Sequence, residues 1–110
     1  MDLNRASDES GEPSQHVIAR DRVKSLPELA EISRQARAEN KKVVLAHGVF
    51  DLLHLGHVRH LEAARKLGDI LIVTVTADKY VRKGPGRPVF PQGIRAEMLA
   101  ALGYIDWTGI

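Results

Sequence analysis

The sequence contains no cysteine, no long apolar run and little excess charge of either sign. Without cysteine, disulfide bonds and thiolate metal sites are excluded, and a cytoplasmic location is the simplest expectation. No segment has the apolar core of a signal peptide or the length of a membrane span, so we expect no membrane partner. A formal net charge of +2 does not require nucleic acid as a partner, and we expect none.

The composition is that of one small globular domain. The 110 residues are 44% hydrophobic and 27% charged, which is an ordinary balance for a domain with a modest core. Residues 1–16 are polar, with almost nothing to bury, and are predicted to form a disordered leader. The domain is therefore expected over residues 17–110, beginning with a short strand or extended arm over residues 17–24.

A helix is predicted to begin after Ser25. Ser25 and Glu28 form a Ser-x-x-Glu capping box, and Pro27 suits the first turn of a helix. The helix should run to about Glu39, with Asn40 as a left-handed terminator. Its buried face is expected to carry Leu26, Leu29, Ile32 and Ala36.

Two short apolar runs predict parallel strands that are buried on both faces. They are Val43 to Ala46, ending at His47-Gly48, and Ile70 to Thr76. A helix over residues 56–67 should connect them as a βαβ unit, followed by a helix over residues 91–102 and a strand over residues 104–110. This order predicts an α/β, Rossmann-like nucleotide-binding fold. Because such sheets usually have about five or six strands, the sequence is predicted to be truncated after the third strand.

The segment between the first strand and its helix carries the candidate chemistry. It lies at the carboxyl end of a strand and at a helix N-terminus, where unpaired N–H groups favour phosphate. Gly48 and Gly56 leave room for a phosphate to approach the backbone. His54 and His57 are three residues apart and can face one side of the first turn, where both imidazoles could donate hydrogen bonds to a triphosphate.

This segment resembles the signature of the cytidylyltransferase-like nucleotidyltransferases. The matching pattern is Gly48-x-Phe50-Asp51-x-x-His54-x-Gly56-His57. The resemblance implies direct in-line attack by a substrate phosphate on the α-phosphate of a nucleoside triphosphate, with Mg²⁺ bound to that triphosphate. Class I aminoacyl-tRNA synthetases share the H-x-G-H element. One departure is Ala46, which stands where the family often has Thr or Ser.

Further matches extend the resemblance over about residues 17–110. Residues 83–89 and the Arg95-x-x-x-Leu99 pattern resemble the branch that adenylylates heptose 1-phosphate or related sugar phosphates. We therefore predict a nucleotidyltransferase that moves a nucleoside monophosphate from ATP or CTP to a sugar phosphate and releases pyrophosphate. Its cofactor is Mg²⁺ with the nucleotide, no resident metal is expected, and a homodimer is a possible assembly.

The predicted site residues fall into three groups. The catalytic pair is His54 and His57, and Asp78, which follows the second strand, is the candidate for substrate contact. The predicted nucleotide-binding residues are Gly48, Phe50, Gly56, Lys83, Arg87 and Arg95.

Several of these residues have structural alternatives. His54 and His57 could bind a metal together with Asp51, or could cap the helix. Asp51 could instead accept loop hydrogen bonds or orient His54, and Asp78 could cap the next turn. Phe50 could pack under the loop, and the basic side chains could be solvated.

Two alternatives concern the whole chain. One is a nucleotide-binding fragment without activity, and the other is an aminoacyl-tRNA synthetase fragment, although no K-M-S-K-S element is present.

Overall fold

The computed structural model describes residues 18–110, so the predicted leader lies outside the described residues. This part of the chain is α/β, as predicted, with a three-stranded parallel sheet. The helices are α1 (Leu26–Ala38), α2 (Leu55–Arg65) and α3 (Gln92–Ala100). The strands are β1 (Val43–Gly48), β2 (Ile70–Val75) and β3 (Trp107–Gly109). Each predicted element is present, although α2, α3 and β3 are shorter than the sequence pattern indicated.

The sheet has the order β1-β2-β3, so β2 is the central strand. His47 of β1 lies opposite Thr74 of β2, and Thr74 lies opposite Gly109 of β3. Because all three strands are parallel, their carboxyl ends lie at one edge of the sheet. The loops that leave β1 and β2 therefore meet at that edge, which is where α/β sheets bind ligands.

The first helix begins and ends as its sequence predicts. The Glu28 N–H donates to Ser25 Oγ at 3.2 Å, and the Ser25 N–H donates to Glu28 Oε1 at 2.8 Å. Glu39 is the C-cap, and Asn40 follows in the left-handed region with φ 63°. Leu26 differs from the prediction, since it is exposed at the very start of the helix rather than buried.

The segment before α1 is an arm with one bridge rather than a strand. It forms a 3₁₀ turn over Ala19–Arg22, after which Val23 makes an isolated parallel bridge with Thr108 of β3. The Lys24 N–H donates to the Thr108 carbonyl at 2.8 Å. The arm therefore covers the free edge of β3.

The main core lies between one face of the sheet and helices α2 and α3. Its buried residues are Phe50, Leu61, Ala64, Leu71, Val73, Val75, Ala96, Leu99 and Ile105. The opposite face is covered only in part by α1, so Leu45 is 67% exposed. The prediction that both strands are buried on both faces is therefore wrong for β1. No helix within residues 18–110 has the length and apolar character needed to cross a membrane.

Candidate functional site

Two loops at the carboxyl edge of the sheet form the candidate site. The histidine loop (residues 49–54) connects β1 to α2, and the basic loop (residues 83–89) lies between β2 and α3. Phe50 of the histidine loop is buried and has a φ of 53°, a left-handed conformation that is uncommon for an aromatic residue. Non-glycine residues in this region are strained and cluster at functional sites.

The Phe50 ring explains the glycine at the end of β1. A Cβ atom at Gly48 would lie 2.9 Å from Phe50 Cε2, so the ring packs directly over the glycine. The same ring meets His57 edge to face, with 5.4 Å between the ring centroids. Phe50 therefore supports the second histidine of the motif from the core side, as the packing alternative predicted.

His54 and His57 together cap the N-terminus of α2. The Gly56 N–H donates to His54 Nδ1 at 3.0 Å, and the His54 N–H donates to His57 Nδ1 at 3.1 Å. This is the reciprocal arrangement of a capping box, built from two imidazoles. A Cβ atom at Gly56 would lie 2.8 Å from His54 Cε1, so glycine is needed at this position for the cap. The capping alternative is thus present in the structure.

The cap also fixes the protons on both rings. Because a backbone N–H can only donate, each Nδ1 is an unprotonated acceptor, and each neutral ring carries its proton on Nε2. Within residues 18–110 no hydrogen bond reaches either Nε2. The two rings lie close together, with 3.9 Å between their centroids. The capping role therefore leaves two Nε2–H groups free to donate to a ligand.

The environment keeps His57 neutral. Burial lowers the pKa of His57 from its ordinary value, and the nearby His54, Lys83 and His60 lower it further. A proton on Nδ1 would also break the hydrogen bond from the His54 N–H. Both effects favour an imidazole that donates from Nε2 without carrying charge.

Asp51 connects the histidine loop to the basic loop. Its carboxylate accepts the Val89 N–H at 2.7 Å and the Phe90 N–H at 3.1 Å. Arg87 Nη1 lies 3.4 Å from Asp51 Oδ2 and donates to the Asp51 carbonyl at 3.1 Å. Burial raises the pKa of the Asp51 carboxyl, but these hydrogen bonds outweigh it and the net shift is downward. Asp51 is thus a loop-stabilising acceptor, and none of its hydrogen bonds goes to His54.

A cleft of about 560 Å³ lies between the two loops. Its volume is within the roughly 300–1,000 Å³ range of ligand sites. Lys83 and Arg87 contribute two cations to its wall, which they share with the two imidazoles. The lining residues are Phe50, Asp51, Leu52, His54, His57, Lys83 and Arg87. Five of the predicted site residues therefore meet in this cleft, namely Phe50, His54, His57, Lys83 and Arg87.

Gly84 and Gly86 allow the basic loop to turn between Lys83 and Arg87. Their φ values are 105° and 80°, in a region that residues with a side chain rarely adopt. Arg87 keeps about a third of its side chain exposed while it holds Asp51. The loop is exposed, and its turn lets both Lys83 and Arg87 line the cleft.

Arg95 lies outside the cleft, although the sequence suggested a phosphate contact. Its side chain is fully buried, and its guanidinium donates to the Phe90 carbonyl at 2.8 Å and to the Val49 carbonyl at 2.9 Å. The third contact is to Asp78 Oδ1 at 2.6 Å. Arg95 therefore links the histidine loop, the residue after the basic loop and the turn after β2.

Asp78 lies beside the site but not in the cleft lining. Its side chain is 42% exposed, with one oxygen on Arg95, and its backbone N–H donates to Gln92 Oε1 at 2.8 Å. It begins a short 3₁₀ turn (Asp78–Tyr80), although its side chain does not cap that turn. The loop-linking contacts of Arg95 and Asp51 have no local sequence signal, because their partners lie in other loops.

The described residues contain no group of three His, Asp or Glu side chains arranged to hold a metal ion. The carboxylate of Asp51, the third ligand in the metal alternative, already accepts hydrogen bonds at both oxygens from Arg87, Val89 and Phe90. The site therefore combines hydrogen-bond donors and cations, a set that suits an anion.

Comparison with known proteins places the chain in a family. Residues 45–109 match the cytidylyltransferase-like family. A protein of Vibrio atlanticus named bifunctional protein HldE is 51% identical over 82 residues, which cover 73% of this chain and 17% of the relative. The protein of the same name from Aeromonas hydrophila is 56% identical over 75 residues, covering 66% of this chain and 16% of the relative. The chain therefore spans about a sixth of the length of these curated relatives.

A solved structure gives the same result for the fold. It is the lipopolysaccharide core biosynthesis protein from Thermoplasma volcanium, which is 38% identical and matches with a TM-score of 0.59. The match covers 63% of this chain and 57% of that one.

Proposed function

The chain belongs to the cytidylyltransferase-like family, and from this premise we propose that its cleft transfers a nucleoside monophosphate from ATP or CTP to a sugar phosphate. Pyrophosphate is the second product. The observation that carries the proposal is the pair of imidazoles at the helix N-terminus, each with Nδ1 in the cap and Nε2–H free. Lys83 and Arg87 line the same cleft as this pair.

The triphosphate would bind between these two sets of donors. The N-terminus of α2 contributes a partial positive charge, and the two Nε2–H groups contribute directed hydrogen bonds. Lys83 and Arg87 add full charges, and a guanidinium can hold a phosphate through two parallel hydrogen bonds. Gly48 and Gly56 remain candidates for close backbone contact with the phosphates.

In the proposed reaction an oxygen of the acceptor phosphate attacks the α-phosphorus. The bond from that phosphorus to the oxygen bridging it to the β-phosphate breaks, and pyrophosphate leaves with the bonding electrons. The attacking oxygen is already anionic, so no general base is needed. The two neutral imidazoles would stabilise the charge that develops on the transferring group and on pyrophosphate, as donors in an oxyanion site do.

Mg²⁺ would enter bound to the triphosphate, as the family resemblance implies. When bound, it would neutralise part of the phosphate charge. The cleft fits this arrangement because its side chains are cations and donors, while phosphate oxygens are the ligands that Mg²⁺ prefers. Asp78, with one carboxylate oxygen not engaged by Arg95, is the residue beside the cleft that could contact the metal or the acceptor.

The acceptor we propose is heptose 1-phosphate or a related sugar phosphate. Support comes from the resemblance of residues 83–89 and of the Arg95-x-x-x-Leu99 pattern to that branch. The family match favours this assignment over an aminoacyl-tRNA synthetase fragment.

Pyrophosphate release tests the proposal. The protein is incubated with Mg²⁺, ATP or CTP, and a panel of sugar 1-phosphates that includes heptose 1-phosphate. Removing one oxyanion-type donor by His57→Ala should lower kcat by about two to three orders of magnitude. Arg59→Ala is the control, because Arg59 is an exposed residue of the same helix outside the motif.

Two results would contradict the proposal. One is unchanged turnover in His57→Ala, which would remove that imidazole from the mechanism. The other is the absence of pyrophosphate release with every acceptor while ATP still binds, which would favour the alternative of a nucleotide-binding protein without activity.

A further inference from the structure

A second polar cluster lies at the carboxyl edge of the sheet, outside the cleft lining. His47 of β1 places its Nδ1 2.8 Å from Thr74 Oγ1 and its Nε2 3.2 Å from Thr76 Oγ1. Thr74 is its partner in the strand register, and Thr76 follows the end of β2. We name these three residues the His47 cluster.

The cluster always retains an unused hydroxyl proton. A neutral imidazole has one N–H group and one acceptor nitrogen, so one threonine donates to the ring and the other accepts from it. The threonine that accepts keeps its own O–H free, and both hydroxyl oxygens keep lone pairs. This conclusion holds for either tautomer of His47. The cluster can therefore both donate to and accept from the hydroxyls of a ligand.

The His47 ring is also held in a fixed orientation. Hydrogen bonds to ring nitrogens lie near the ring plane, so the bonds at both nitrogens fix the ring and do not use its faces. His47 is exposed, while Thr74 and Thr76 are half-buried. None of the three belongs to the core or to a helix cap. A fixed flat ring beside two hydroxyls is an arrangement that suits a sugar ring, which has apolar C–H faces and polar edges.

A backbone hydrogen bond joins the His47 cluster to the start of the histidine loop. The Thr76 N–H donates to the Gly48 carbonyl at 2.9 Å, and Gly48 is the residue between His47 and that loop. In the proposed reaction both substrates carry a sugar directly bonded to a phosphate. When the phosphates occupy the cleft, each sugar ring is two or three bonds from a phosphorus atom and so must lie near this edge of the sheet.

Resting on the proposed function, we infer that His47, Thr74 and Thr76 form a subsite that binds the sugar ring of one of the two substrates. The ribose of the nucleotide and the sugar of the acceptor share the chemistry that the cluster recognises, namely adjacent hydroxyls and a C–H face. The subsite sets affinity for the sugar and leaves phosphate binding to the cleft.

Calorimetric titration with paired ligands tests this inference. In one arm ATP is compared with inorganic tripolyphosphate, and in the other heptose 1-phosphate is compared with inorganic phosphate. The variants are His47→Phe, which keeps a flat ring, and Thr76→Val, which keeps the shape but removes the hydroxyl. His60→Phe is the control for loss of an exposed imidazole. Thermal melting verifies that each variant is folded.

In one of the two arms, we expect both variants to bind the sugar-bearing ligand about three- to tenfold more weakly, which is the effect of one hydrogen bond. The sugar-free ligand should bind unchanged, and the arm that responds identifies the substrate. Equal changes for the paired ligands, or no change in either arm, would overturn the inference while leaving the proposed function intact. A wild-type protein that binds neither ATP nor tripolyphosphate would overturn both.

Discussion

Replacement of Arg95 by methionine tests whether this buried guanidinium holds the site together. Methionine keeps a long unbranched side chain in the same space, so the main loss is the set of hydrogen bonds to Phe90, Val49 and Asp78. Each partly buried carbonyl left without its donor costs about 1 kcal/mol, at the lower end for an unsatisfied group. The ion pair with Asp78 adds at most about 1 kcal/mol, because that carboxylate is 42% exposed. The expected loss of unfolding free energy is therefore about 3 kcal/mol.

For a domain of this size a loss of about 3 kcal/mol lowers Tm by roughly 12 °C or more. Differential scanning calorimetry of Arg95→Met measures the shift, and Arg59→Met provides the control because Arg59 is exposed on α2. A Tm within about 3 °C of wild type would refute the argument, since it corresponds to less than about 1 kcal/mol.

Tripolyphosphate binding, measured well below Tm, separates this role from the phosphate contact suggested by the sequence. Arg87→Met should lose affinity with a smaller fall in Tm than Arg95→Met, because Arg87 lines the cleft and gives up one carbonyl contact and one part-exposed ion pair. If Arg95→Met instead kept its Tm and lost affinity for tripolyphosphate, Arg95 would be a ligand contact after all.

Three further predictions concern the two loops. Gly56→Ala should weaken tripolyphosphate binding by about tenfold, because the new methyl meets the His54 ring at 2.8 Å and disturbs the capping hydrogen bond. Gly93→Ala is the control, because a Cβ atom there would have nothing within 4 Å. It should stabilise the fold by up to about 1 kcal/mol without affecting binding. Folding lowers the pKa of His57, so the stability linked to this group is present above its unfolded pKa of about 6.5 and is lost as the pH falls below that value. Between pH 7.5 and pH 5, Tm should therefore fall less in His57→Gln than in wild type. Parallel curves of Tm against pH would contradict this. Asp51→Asn should release the basic loop and accelerate tryptic cleavage at Lys83 several-fold, whereas an unchanged cleavage rate would show that the loop is held by other contacts.

The fold followed from the sequence where the signals are local. The Ser25–Glu28 capping box predicted the start of α1, and the left-handed Asn40 predicted its end. The β-branched run of β2 predicted a buried central strand. The same reasoning was wrong for Leu45, because an apolar run does not show whether a helix covers each face of the strand.

The candidate site followed from the sequence only in part, and the reason lies in how each residue obtains its partners. His54, Gly56 and His57 are neighbours in the chain, so their spacing alone brings them together at the helix N-terminus. Arg95 finds its carbonyl partners 5 and 46 residues away, and these distances become contacts only when the loops fold over one another. A basic residue near a predicted phosphate site therefore has the same local appearance whether it contacts the ligand or holds the loops that do.

The structure resolves two readings of the histidines that the sequence treated as competing. As caps, the imidazoles accept backbone N–H groups at Nδ1, and as ligand donors they need a proton on Nε2. In a neutral ring the first condition enforces the second, because the single proton must lie on the nitrogen that does not accept. The cap thus selects the tautomer that the proposed triphosphate contact needs, and it does so before any ligand binds. A histidine pair at a helix N-terminus can therefore be structural and chemical at once, which is why replacing Gly56, with no functional atoms of its own, is expected to impair binding.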